Sequence, residues 1–212
     1  MILFDLDGTL TDSGEGIMNC AVHALNHFGI PTPTDTELRT FVGPPLLESF
    51  ARFGVPSENL EEAIMVYRQR YLPIGKFENH PYPGIRELLE RLNSEGHKLY
   101  VATSKPENIS IEILDHFDLS KYFVKICGAS NDNDRSRNTK EAVIAYLLEE
   151  CGRDEKIVMV GDTAYDVLGA KVHGIPTIAV SWGYGLAEDL KAAGAAAIAN
   201  TMDELYELLT SD

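Results

Sequence analysis

Apolar residues follow two different rhythms along this chain. From about residue 84 onward, short apolar runs alternate with stretches in which apolar positions recur every three or four residues. The runs Lys98–Leu99–Tyr100–Val101–Ala102–Thr103, Val124–Lys125–Ile126–Cys127–Gly128, Ile157–Val158–Met159–Val160–Gly161 and Thr177–Ile178–Ala179–Val180 read as strands. Segments 85–95, 107–115, 139–151, 164–173 and 187–193 read as amphipathic helices. Strands that are apolar almost throughout, each followed by a helix, predict a parallel sheet covered on both faces. Ile2–Leu3–Phe4 adds a strand at the start of the chain.

Residues 14 to 80 break this rhythm. Segments 16–28, 35–41, 45–53 and 57–71 all read as helices, divided by Gly29–Ile30–Pro31, Val42–Gly43–Pro44 and Gly54–Val55–Pro56. Ser57, followed by Glu58 and Asn59, suits a helix N-cap. No strand pattern occurs there. The expected fold class is therefore α/β: a doubly wound, parallel, Rossmann-like core of residues 1–13 and 81–212. An all-α cap domain of residues 14–80 is inserted after its first strand. No internal repeat is visible.

Composition narrows the functional classes. With 44% hydrophobic and 24% charged residues over 212 positions, the chain has the make-up of a globular protein with ample core. Its formal charge of −15 and lack of Lys/Arg clusters argue against a nucleic-acid polymer and against an anionic membrane surface. Any anion must be bound by a local site working against the overall field. Cys20, Cys127 and Cys151 are widely separated and lack metal-ligand spacing, as expected of buried free thiols in a reducing compartment. There is no leader pattern and no apolar run long enough to span a bilayer, so a cytoplasmic location is expected. Monomer and homodimer both stay open.

Candidate chemistry gathers where the predicted strands end, which is where open parallel sheets bind ligands. The first strand ends in Asp5–Leu6–Asp7–Gly8–Thr9, a later one in Thr103–Ser104–Lys105–Pro106, and another in Gly161–Asp162–Thr163–Ala164–Tyr165–Asp166. Lys140 opens the helix before that last strand. Each group alone has a plain structural explanation: Asp-Gly and Thr-Ser are turn formers, Asp162 could cap a helix, and most lysines are solvated. Independent turns, however, have no reason to place complementary groups at three strand ends. Asp5 and Asp7, two residues apart, repel each other, and burial makes that worse. They need a cation, a proton, or both.

This pattern resembles the haloacid dehalogenase-like hydrolase superfamily over essentially the whole chain. Its four motifs are matched in order by Asp5–Leu6–Asp7–Gly8–Thr9, by Thr103 or Ser104, by Lys140, and by Gly161–Asp162 with Asp166. Val42–Gly43–Pro44–Pro45–Leu46, Val101–Ala102–Thr103–Ser104–Lys105–Pro106 and Ser181–Trp182–Gly183–Tyr184–Gly185 are similar to phosphoglycolate-phosphatase-like members with a helical cap. One departure stands out: the stretch from Asn131 to Lys140 lacks the Lys-Pro pair common around the third motif, and it carries Arg135 and Arg137 instead.

The resemblance implies a phosphatase that hydrolyses small phosphate monoesters, phosphoglycolate or a nucleoside 5′-monophosphate among them, through an aspartyl-phosphate. Asp5 would be the nucleophile and Asp7 the general acid and base, a role that calls for a raised pKa. Mg²⁺ would be held by Asp5, Asp162 and the Asp7 backbone carbonyl. Lys140 would offset phosphoryl charge. Thr103, Ser104 and the Gly8 amide would bind phosphoryl oxygens, and Asp166 would stand behind the ligands holding Lys140 or a metal-bound water. Substrate choice would fall to the cap: Gly43 stands in a turn at the spacing of a specificity loop, equally readable as a simple helix–helix turn. Arg39, Arg52, Lys76 and Lys105 could pair with a substrate carboxylate or second phosphate, or equally be surface charge. Two alternatives remain: a phosphomutase acting on a sugar phosphate, and a non-enzymatic phosphoacceptor regulator. Dehalogenases of the superfamily lack the second aspartate, so Asp7 favours phosphate chemistry.

Overall fold

The computed structural model describes residues 1–130, 135–154 and 156–211. The chain divides into two compact units, Met1–Thr11 with Pro81–Asp212, and Asp12–His80. The two linking segments, β2 (Thr11–Asp12) and β3 (His80–Pro81), form a small sheet of their own.

The second unit is helical. It contains α1 (Gly14–His27), α2 (Asp35–Arg39), α3 (Leu46–Arg52) and α4 (Leu60–Tyr71). An aromatic core knits it together: Phe41 lies 5.3 Å from Phe50 and 4.7 Å from Phe53, and Tyr67 stacks on Tyr71 at 5.2 Å. Thr34 and Glu37 form a reciprocal capping box at the start of α2. Ser57 opens a 3₁₀ turn (Ser57–Asn59), and α4 is preceded by Asn59, so the expected Ser57 cap is corrected. Pro56 holds φ at −56°, and the tighter turn forms before the α-helix begins.

The first unit is built on a six-stranded sheet in the order β5-β4-β1-β6-β7-β8, each neighbouring pair parallel. Its strands are β1 (Ile2–Phe4), β4 (Leu99–Pro106), β5 (Lys125–Ala129), β6 (Val158–Gly161), β7 (Thr177–Val180) and β8 (Ala197–Ala199). Helices α5 (Ile85–Ser94), α6 (Glu107–His116), α7 (Lys140–Cys151), α8 (Ala164–Val172), α9 (Ala187–Ala193) and α10 (Met202–Thr210) connect or follow them. Leu3, Tyr100, Ala102 and Met159 on the strands bury one face against Val143, Ile144 and Leu147 of α7 and Ala170 of α8. The expected α/β class and doubly wound parallel core are what the structure shows. Strand β8 and helix α10 were not foreseen.

Strand order explains where chemistry can sit. β1 pairs with β4 on one side and β6 on the other, with Phe4 level with Val101 and Val160. The chain builds outward through β4 and β5, then returns through α7 to build the other way from β6. The direction reverses beside β1, and the carboxyl end of such a reversal is an open crevice. Asp5 is the first residue beyond β1.

Candidate active site

Asp5 is reached by elementary means. Three fully apolar residues fix β1 in mid-sheet, and the Asp5 N–H donates to the Val160 carbonyl at 2.9 Å. The chain then turns sharply. Gly8 adopts φ 78°, and its N–H donates to the Thr11 carbonyl at 2.8 Å. That amide is therefore taken by the turn, and the expectation that it faces a phosphoryl group is corrected. Gly8 matters for space instead: a Cβ there would overlap the Asp162 carboxylate and lie 2.7 Å from Tyr184 Cδ2.

Three carboxylates meet at this point. Asp5, Asp162 and Asp166 are all buried, and each offers an oxygen within 4.8 Å of the others. Lys140, the first residue of α7, is 4% exposed and aims its ammonium into the group. Its Nζ lies 2.7 Å from Asp5 Oδ1 and 2.7 Å from Asp166 Oδ1, and donates to the Ala102 carbonyl at 2.9 Å. Asp166 Oδ2 accepts from the Thr163 N–H at 3.0 Å and hydroxyl at 2.9 Å. Asp166 thus ties the start of α8 to Lys140, and Thr163 rather than Asp162 precedes that helix.

Electrostatics follow from the count of charges. Burial pushes the Asp5 carboxyl up to about 6; Lys140 opposes this shift and Asp166 adds to it. Burial likewise holds Asp162 well above the usual carboxylate range, reinforced by Asp166 and Asp5. For Lys140, burial disfavours the ammonium, yet Asp166 and Asp5 outweigh it and raise its pKa. Three buried carboxylates facing one buried ammonium leave the cluster short of positive charge. All-oxygen donors with that imbalance suit a hard divalent cation such as Mg²⁺.

Asp7 points to a different partner. Its Oδ2 receives Lys105 Nζ at 2.5 Å, with the lysine side chain only 6% exposed. Its Oδ1 is buried and accepts no hydrogen bond among the described residues. The structure therefore gives Lys105 a carboxylate of the site itself, where the sequence left a substrate anion and surface charge both open. Thr103 is buried on β4 and Ser104 is exposed beside it, at the carboxyl end of the strand next to β1. The Lys105 N–H donates to Thr103 Oγ1 at 3.3 Å. Gly43 lies in the helical unit between α2 and α3 with φ 104°. Arg137 covers the Tyr146 ring at 3.8 Å and pairs with Glu107 at 3.4 Å, while residues 131–134 lie outside the described residues.

Sequence reasoning missed two contributors. Thr9 donates its hydroxyl to Asp162 Oδ1 at 3.4 Å, and the Tyr184 N–H donates to Asp162 Oδ2 at 2.8 Å. Only the density of glycine in Ser181–Gly185 hinted that backbone approaches something closely there.

A model of the haloacid dehalogenase-like hydrolases matches residues 2–180. The chain belongs to that family. Among relatives of this hydrolase, the tyrosine-protein kinase PtkA of Mycobacterium tuberculosis is 43% identical over 212 residues, covering 99% of this chain and 72% of PtkA. The solved PtkA structure superposes with a TM-score of 0.87 over 99% of this chain and 97% of that one. A 5′-nucleotidase of Pseudomonas aeruginosa is 43% identical over 193 residues, covering 90% of this chain and 86% of that protein. A phosphoglycolate phosphatase of Aquifex aeolicus is 35% identical over 188 residues, covering 87% and 85%. Among the described residues, no helix is long and apolar enough to cross a membrane.

Proposed function

We propose that this hydrolase is a Mg²⁺-dependent phosphatase acting on small phosphate monoesters, with nucleoside 5′-monophosphates the first class to test and phosphoglycolate the second. The observation that carries this reading is the cation-deficient cluster of Asp5, Asp162, Asp166 and Lys140 at the reversal point of the sheet. Membership of the phosphatase-rich family and the likeness to a 5′-nucleotidase support it.

The chain's own residues then divide the work. Asp5 attacks phosphorus, forming an oxygen–phosphorus bond to its carboxylate as the bond to the leaving oxygen breaks. Asp7 gives that oxygen a proton. Water next attacks the Asp5-bound phosphoryl group, Asp7 takes the proton back, and phosphate departs. Lys105 grips one Asp7 oxygen and leaves Oδ1 for proton exchange. Lys140 keeps positive charge beside the nucleophile throughout. Asp5 and Asp162 would hold Mg²⁺ with the Asp7 carbonyl, and its charge lets a carboxylate approach a phosphate.

The test is phosphate release from a panel of esters with Mg²⁺, using Asp5→Asn as the control. Release by the natural chain and none by the variant is expected. Inert esters throughout, or an equally active variant, would overturn the reading. Sugar-phosphate isomerisation without free phosphate would identify a mutase. A phospho-adduct lasting minutes would identify a phosphoacceptor, and transfer to protein tyrosine would follow the PtkA likeness instead.

A further inference from the structure

The loop Ser181–Gly185 has no part in the chemistry proposed above, yet it touches the site at two points, Thr9 and Asp162. It leaves β7 directly, and the Ser181 N–H is anchored on the Ala199 carbonyl of β8 at 3.0 Å. Trp182 donates its indole N–H to the Thr9 carbonyl at 3.2 Å. The Tyr184 N–H donates to Asp162 Oδ2 at 2.8 Å. The loop thereby grips both the turn after β1 and the carboxylate after β6.

Glycine is required for that grip. A Cβ on Gly183 would overlap Asp162 and lie 2.5 Å from the Gly8 carbonyl oxygen, and one on Gly185 would overlap the Asp162 carbonyl. Gly8 completes the approach from the other side, since its own Cβ would strike Tyr184 and Asp162. Two segments separated by more than 150 residues are thus held in register by backbone passing within van der Waals reach of both.

We propose that Ser181–Gly185 is the positioning element of the cation site: it fixes the Asp162 carboxylate relative to Asp5 before any ion arrives. One oxygen of Asp162 is held by the Tyr184 amide and the other by the Thr9 hydroxyl, so its plane is set from both ends. Thr9 is itself pinned through its carbonyl by Trp182. The loop acts through Asp162 and touches no reacting atom. This rests on reading Asp162 as a ligand of Mg²⁺.

The experiment is Mg²⁺ calorimetry on the full, substrate-free chain, with thermal unfolding as a check of folding and steady-state kinetics alongside. Asp162→Asn is the reference, Leu186→Ala the neighbouring control, and Gly183→Ala and Trp182→Phe the probes. Gly183→Ala is expected to weaken Mg²⁺ binding about 10- to 100-fold, as when the group orienting a metal ligand is displaced. Trp182→Phe, which removes one hydrogen bond, is expected to weaken it about fivefold. In both, the KM for the ester should stay within about twofold of the natural chain when Mg²⁺ saturates, a split that general loss of structure would not produce. Mg²⁺ binding by a folded Gly183→Ala within about twofold of the natural chain would overturn the proposal. Should that variant fail to fold, unchanged binding by Trp182→Phe would overturn it. If the natural chain binds no Mg²⁺, or Asp162→Asn binds it equally well, the cation-site reading itself fails and the proposal falls with it.

Discussion

Lys140→Met is the perturbation that most strains this arrangement. The substitution keeps a long unbranched stem and deletes the only ammonium facing Asp5 and Asp166 among the described residues, each 2.7 Å away. Removing one partner of a buried ion pair costs about 3–5 kcal/mol, because the other charge stays buried and uncompensated. In a chain of this size, each kcal/mol moves the melting temperature by about 2–4 °C, so a fall of roughly 6–20 °C is expected without metal near pH 8. The pH dependence carries the argument. Without the ammonium, Asp5, whose carboxyl burial already raises to about 6, can escape the penalty by taking a proton, so the deficit should shrink markedly near pH 5. Calorimetry of the metal-free natural and variant chains at the two pH values measures this directly. Equal stability near pH 8, or a deficit that does not change with pH, would refute the electrostatic reasoning.

The remaining expectations concern the same cluster and the thiols. Asp5 folds with its carboxyl raised to about 6, so the metal-free folded chain keeps that proton to higher pH than the unfolded chain does. Its contribution to stability is complete below about pH 4 and is lost as pH rises through about 6. Binding of Mg²⁺ must displace such protons, so the Mg²⁺-induced rise in melting temperature should be large near pH 8 and small near pH 5; equal rises would contradict this. Cys20 and Cys127 are buried, and burial pushes the Cys127 thiol up to about 12, whereas Cys151 is partly exposed. A thiol reagent applied to the native chain should label Cys151 first, and peptide mapping showing Cys127 first would contradict the burial.

Much of this architecture was legible from periodicity. Thr177–Val180 and Ala187–Ala193 have the same limits in the pattern and in the structure, because apolar continuity and amphipathic spacing mark them cleanly. β8 escaped notice because Ala197–Ile198–Ala199 lies in an alanine-rich stretch with a single β-branched residue, and alanine favours strands poorly. α10 escaped because it follows that alanine-rich stretch and opens on two acidic residues, Asp203 and Glu204. Thr201 caps that helix, accepting from the Glu204 N–H at 3.1 Å.

The site divides in the same way. Asp5, Asp162, Asp166 and Lys140 could be gathered from the sequence because each stands at the end or start of a strongly patterned element. Lys105 could not be assigned its partner. Its ammonium rides on a long flexible stem, from a stretch where the strand register shifts between Ala102 and Pro106, and meets a carboxylate 98 residues away. The hold of Tyr184 on Asp162 is a backbone contact, and side-chain patterns carry no trace of it.

The most direct measurement is the fate of the phosphoryl group during turnover. Acid-quenching the reaction of a phosphate ester with Mg²⁺, then mapping peptides by mass, should show one phosphoryl group on the peptide bearing Asp5. It should vanish on chelation of Mg²⁺ and in Asp5→Asn. Phosphate release that proceeds with no adduct on that peptide, or that survives complete removal of divalent metal, would contradict the account.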